Sequence, residues 1–150
     1  MTLTTQTSSA SIRHFLRSLV YRFRHVTSSA PAGFATFEAG KDVRSPIRIV
    51  RHMSVLIQFA HAQFGETEAG KLAELEWDDE LQRFLDLTSA LDRILAQNKE
   101  VVTDISLEQL WQGPIIDAMT HVGQLATLRR LAGSPLKGVR YWAVDMPAIS

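Results

Sequence analysis

The sequence predicts an all-α protein, a four-helix bundle in which residues 1–150 make one domain. Three observations lead there. Four long segments place apolar residues at i, i+3, i+4 and i+7, the period of a helix with one buried face. Proline, glycine and hydroxyl residues stand where helices start and stop. The alternation that marks strands is scarce.

The first segment runs from about Ser9 to Val26. Ile12, Phe15, Leu16, Leu19, Val20 and Phe23 form its stripe. His14 and His25 fall opposite, beside arginines, so solvent is their expected setting. The long loop "TSSAPAGFATFEAGKDVRS" follows and carries Phe34, Phe37 and Glu38. Loops of such length in compact domains are functional or packed over something. The two phenylalanines are expected to plug the end of the core.

The second helix opens at "SPIRIVRHM", with Ser45 as N-cap and Pro46 in the first turn. Ile49, Val50, Met53, Leu56, Ile57 and Ala60 make its stripe; Arg48, Arg51 and Gln58 mark its solvent side. His52 lies on the shoulder of the buried face, between Leu56 and Phe59. His61 is turned half round the helix from His52, so the two cannot serve one site. "GETEAGKLAELE" reads as a connection. The third helix spans about Asp78 to Gln97, with two aspartates at its positive end and a stripe of Leu81, Phe84, Leu85, Thr88, Leu91 and Leu95.

"SLEQLW" then carries a capping box from Ser106 to Gln109. It leads into "GPIIDAMTHVGQLATLRRLAGSP", residues 113–135. Gly113-Pro114 opens this helix, or kinks a continuous one, and Gly133 with Pro135 closes it. Its apolar residues surround most of the cylinder, which predicts a largely buried helix. The tail "LKGVRYWAVDMPAIS" is not helical by pattern, and Tyr141, Trp142 and Val144 suggest that it packs down.

Composition narrows the function. Lysine plus arginine equals aspartate plus glutamate at 16 each, and the charges of "RSLVYRFRH" are interleaved with core residues. Nucleic-acid binding through bulk charge is not expected. There is no cysteine, which excludes disulfides and thiolate chemistry and accords with a cytoplasmic setting. The N-terminus has no apolar core of a signal peptide. No apolar run approaches the roughly 20 residues of a membrane span.

One pair of residues does not suit a buried helix. Asp117 and His121, at i and i+4, project from one face and can reach one metal ion. Bundles build metal sites from inward side chains on facing helices, and His52 is the third candidate ligand. Three ligands without a thiolate leave a coordination position for water or substrate. The competing reading is a self-satisfied pair, Asp117 bonded to His121, with His52 donating to a backbone carbonyl.

The segments "FEAGKDVRSPIRIVRHMSVL" and "GPIIDAMTHVGQLATLRRLAGSP" resemble the DinB/YfiT-like family of bacterial helical proteins. The likeness covers most of the chain and is most specific in "SPIRIVRHM" and "HVGQLATLRRLAGSP". It implies an up-down-down-up four-helix bundle, often a homodimer. It also implies a divalent metal on three histidines, one matching His52 and two matching positions 117 and 121. Position 117 departs from that pattern. Aspartate there gives the site a harder character, suited to Zn2+ or Ni2+ foremost and open to Fe2+ or Mn2+.

The resemblance implies a metal-dependent enzyme, thiol-dependent transferase, isomerase or hydrolase-like, acting on a small molecule. The alternative is a non-enzymatic, stress-associated or small-molecule-binding dimer with a vestigial site. Under the first reading Gln124 is a candidate to orient substrate and Glu38 to support a ligand imidazole. His14, His25 and His61 are expected outside the site. A cleft floored by the last helix is expected, rimmed by the loop at residues 30–44 and by Tyr141 and Trp142.

Overall fold

The computed structural model describes residues 2–149. It is all-α, and no strand occurs among the described residues. Four long helices are packed together: α1 (Thr2–Thr27), α2 (Pro46–Ala62), α3 (Trp77–Ala96) and α5 (Ile116–Leu131). The short α4 (Leu107–Leu110) leads into α5 through a π-type turn, Trp111–Ile115. Helix α1 starts earlier than its stripe does. Once the packed part of a helix is formed, each further residue adds a bond without a new nucleus.

Helices α1 and α2 each pack chiefly against α3 and α5 and so stand diagonally across the core. The stripes meet there: Ile12, Leu16, Leu19 and Phe23 of α1, Ile49, Met53 and Ile57 of α2, Phe84, Leu91 and Leu95 of α3, and Val122, Leu125 and Leu128 of α5. Phe23 and Phe84 touch with ring centroids 4.3 Å apart.

One end of the bundle is closed by the loop after α1. Phe34 is buried in a single 3-10 turn, edge-on to Trp77 at 5.9 Å, and Phe37 packs partly against the core. Arg129 of α5 is 4% exposed, which the sequence reading did not anticipate. Its guanidinium donates to the carbonyls of Val26, Ser28, Ser29 and Ser134 and to the Ser134 hydroxyl. A buried charge needs such compensation. These bonds gather the C-terminal ends of α1 and α5, and Phe34, lying near the Arg129 guanidinium and against Trp77, brings the N-terminal end of α3 beside them. Farther along the bundle Arg13 pairs with Asp92 at 2.9 Å, joining the middle of α1 to the last turns of α3.

Three sequence expectations change. Arg51 is not on the solvent side. It is partly buried and pairs at 2.7 Å with Glu80, which is fully buried and also held by Arg83 and the backbone N–H of Leu75. Ser45 occupies the N-cap position of α2 but makes no side-chain cap bond. Helix α5 is not buried all round. Ala118, His121, Val122, Leu125, Leu128 and Arg129 face inward, while Ile116 and Leu131 are exposed by 39% and 62%. Apolar residues on every side of a helix need an enclosing layer on every side, and a four-helix bundle supplies neighbours on only part of the circumference.

Candidate metal centre

The local chain around α5 sets its register. The Ser106 hydroxyl accepts from the Gln109 N–H at 3.1 Å, and the Gln109 side chain accepts from the Ser106 N–H at 2.8 Å, so the capping box forms as expected. Gly113 then leaves the helical region (φ −93°, ψ −105°) and Pro114 follows inside the wide turn. The wide turn resets the register of the residues after it. Helix α5 then closes at Gly133, whose left-handed φ of 76° suits a residue without a Cβ.

His52, from the second turn of α2, faces Asp117 and His121 on α5. The two imidazole centroids lie 4.8 Å apart, with the rings tilted by 55°. One ligand atom from each of the three residues fits within 4.8 Å of the others. His52 Nε2 stands 4.0 Å from Asp117 Oδ2, and His121 Nδ1 stands 3.5 Å from Asp117 Oδ1. Donors bound to one ion at roughly 2.0–2.2 Å in a tetrahedron are about 3.3–3.6 Å apart. The three side chains are therefore grouped closely enough to be a candidate ligand set, with Nδ1 the His121 nitrogen nearest the Asp117 carboxylate.

His121 is 5% exposed and already oriented. Its Nδ1–H donates to the Asp117 backbone carbonyl at 2.7 Å, one turn back in the same helix. A carbonyl only accepts, so Nδ1 carries a proton and Nε2 is the nitrogen left to serve as a ligand. Thr120 Oγ1 also donates to that carbonyl at 2.7 Å and approaches Asp117 Oδ1 at 3.2 Å. The Asp117 side chain is 47% exposed and that of His52 31% exposed, so the group opens to solvent on one side.

Burial lowers the pKa of His52, the positive charge of Arg44 and the neighbouring His121 act in the same direction, and Asp117 opposes them. A lowered pKa keeps the imidazole neutral, the form that can ligate a metal. The short bond of His121 goes to the Asp117 carbonyl rather than to its carboxylate. His52 does not donate to a backbone carbonyl among the described residues.

His14, His25 and His61 lie outside the group. His14 is exposed on α1, His25 Nε2 bonds the Lys137 carbonyl at 3.0 Å, and His61 has a buried Nδ1 without a partner. Glu38 is exposed and bonds neither imidazole. Gln124 is exposed on the turn after His121.

The tail does not rim the group. Tyr141 packs on α1, edge-on to Tyr21 at 6.2 Å and beneath the Arg22 guanidinium at 3.8 Å, while Trp142 is 85% exposed. Cation–π attraction draws the tail to the arginine-rich side of α1, which is diagonal to α2. A cavity of about 810 Å³ also opens away from the group, between α1 and Trp111. What the sequence reading missed beside the histidines is Thr120, signalled only by its place three residues after Asp117. It also missed the partly exposed Val55, Phe59 and Ile116.

Comparison of the chain with known protein families, with curated proteins and with solved structures gives no match.

Proposed function

We propose that this chain is a metal-dependent protein of the DinB/YfiT-like type, in which His52, Asp117 and His121 hold one divalent cation and leave a position open to a small-molecule substrate. The observation that carries the reading is the grouping of three possible donors from two helices within 4.8 Å of one another, one of them oriented by a hydrogen bond to its own helix. The bundle's contacts support the family reading as well. Phe34 against Trp77, Arg51 against Glu80, Arg129 against the Val26 carbonyl and Arg13 against Asp92 accord with an up-down-down-up path. A single core cluster contributed by all four long helices supports one domain.

Two imidazoles and one carboxylate suit Zn2+ or Ni2+, and admit Fe2+ or Mn2+. Held there, such an ion supplies Lewis acidity that lowers the pKa of a bound water or thiol toward neutrality. The protein's own groups prepare the site. The Asp117 carbonyl fixes the tautomer of His121, Thr120 restrains the Asp117 turn, and burial keeps His52 neutral. Gln124, one turn on, is the candidate to orient a substrate through its amide. The reading extends to a cytoplasmic homodimer, whose size sedimentation measures directly.

Elemental analysis of protein purified without an affinity tag tests the proposal. About one divalent ion per chain is expected, lost together in His52→Ala and His121→Ala while both stay folded. Wild-type protein that neither carries nor takes up any divalent ion overturns it.

A further inference from the structure

The surface around the three donors is divided in polarity. His52, Val55 and Phe59 follow at i, i+3 and i+7 and so share one side of α2. Val55 is 37% and Phe59 39% exposed, and Ile116, the neighbour of Asp117 on α5, is 39% exposed. The segment before α5, Trp111–Ile115, packs on α2. At the other end Phe34 joins α2 to the Arg129 end of α5. The helices therefore pass in opposite directions, so the stretch of α2 from His52 toward Phe59 runs toward the N-terminal end of α5, where Ile116 stands beside Asp117. On the other side of His52 stand Arg44 and Arg48, both exposed, with no ion-pair partner among the described residues.

We propose that the substrate of this site is an amphiphile: an anionic, metal-binding head such as a carboxylate, carrying an apolar chain that lies over Val55, Phe59 and Ile116. This rests on the metal reading above. A divalent ion with one carboxylate ligand keeps a net positive charge, and Arg44 adds to it, so the open position favours an anion. The apolar patch begins within one helical turn of His52 and extends about 10 Å along α2 to Phe59. Three side chains exposed by about two-fifths offer on the order of 200 Å². A stable dimer buries roughly 800 Å² per partner. The patch is thus the size of a short acyl chain, not of a subunit interface.

The test uses the full chain loaded with Co2+ and a series of n-alkyl hydroxamates from acetyl to octanoyl, read by the visible absorption of the bound cobalt. The dissociation constant should fall about twofold per added methylene, as partial burial on an open face gives. It should level off once the chain passes Phe59. Phe59→Ser and Val55→Ser should each flatten the series while leaving cobalt affinity, acetohydroxamate binding and helical circular dichroism unchanged. A flat series in the wild type overturns the proposal even when cobalt binds normally. Failure of cobalt to bind at all overturns the metal reading and this one with it. Conversion of a dimer to a monomer by Phe59→Ser assigns the patch to a second copy of the chain and also overturns it.

Discussion

His121 shows how one side chain joins structure to chemistry. It is buried, yet the fold does not use it as a core residue in the ordinary sense, because its Nδ1–H is taken by its own helix and its ring lies 4.8 Å from that of His52. His121→Ala should weaken divalent-metal binding by more than about 100-fold, beyond the range seen for losing only a supporting contact. The same variant should keep nearly all its helical circular dichroism, since the apolar stripes are untouched. Calorimetric metal titration beside a far-ultraviolet spectrum checks both; simultaneous loss of fold and metal would make His121 a structural residue. His61 gives a pH signature. Burial, with Arg93 adding, lowers its pKa below 6.5 in the folded chain. The unfolded chain then binds more protons as pH falls through 6.5, so the neutral form's contribution to stability is full above 6.5 and lost toward the lower folded pKa. The difference in urea midpoint between wild type and His61→Gln should therefore stay constant above pH 7, and the wild-type midpoint should fall relative to that of His61→Gln as pH drops toward 5. Parallel curves would show that His61 does not titrate differently on folding.

Among the elements, α5 depends on how it begins and ends. The capping box at Ser106 was legible because the spacing of Ser and Gln is itself the geometry that satisfies two free N–H groups. Ser106→Ala should cost about 1 kcal/mol. The stop at Gly133 was legible for a similar reason, since its left-handed backbone favours glycine in any context. Gly133→Ala should cost about 1–2 kcal/mol, measured as a shift in denaturation midpoint at unchanged slope. An unshifted midpoint would mean that the helix end relaxes to another conformation. The burial of α5 was not legible. Its apolar residues lie all round, so composition gave no preferred face, and Ile116 and Leu131 are left outside because no helix covers them.

Across the whole molecule, the unexpected fixed point is Arg129. One guanidinium ties the end of α1, the following loop and the end of α5 through five hydrogen bonds. Arg129→Ala would leave those carbonyls short of partners, and the expected loss is about 3 kcal/mol. Arg129→Lys should recover only part of it, because an ammonium cannot span the same fork. Equal stability of the lysine variant and wild type would show that charge alone matters. Glu80 is the second such point, sunk between Arg51 and Arg83.

The sequence by itself determined the helical class, the capping box at Ser106, the stop at Gly133 and the trio of His52, Asp117 and His121 as ligand candidates. Periodicity, capping and i, i+4 spacing are local properties, and a chain carries them wherever it folds. Tertiary structure decided the rest. Which polar residues are buried depends on partners far off in the chain: Arg129 on a loop about 100 residues away, and Arg51 on Glu80 in another helix. Where the tail settles depends on Arg22 and Tyr21 rather than on its own pattern. Whether the three donors meet depends on the packing of α2 against α5 and on the wide turn at Gly113, because spacing along one helix fixes two donors and only helix packing can bring the third.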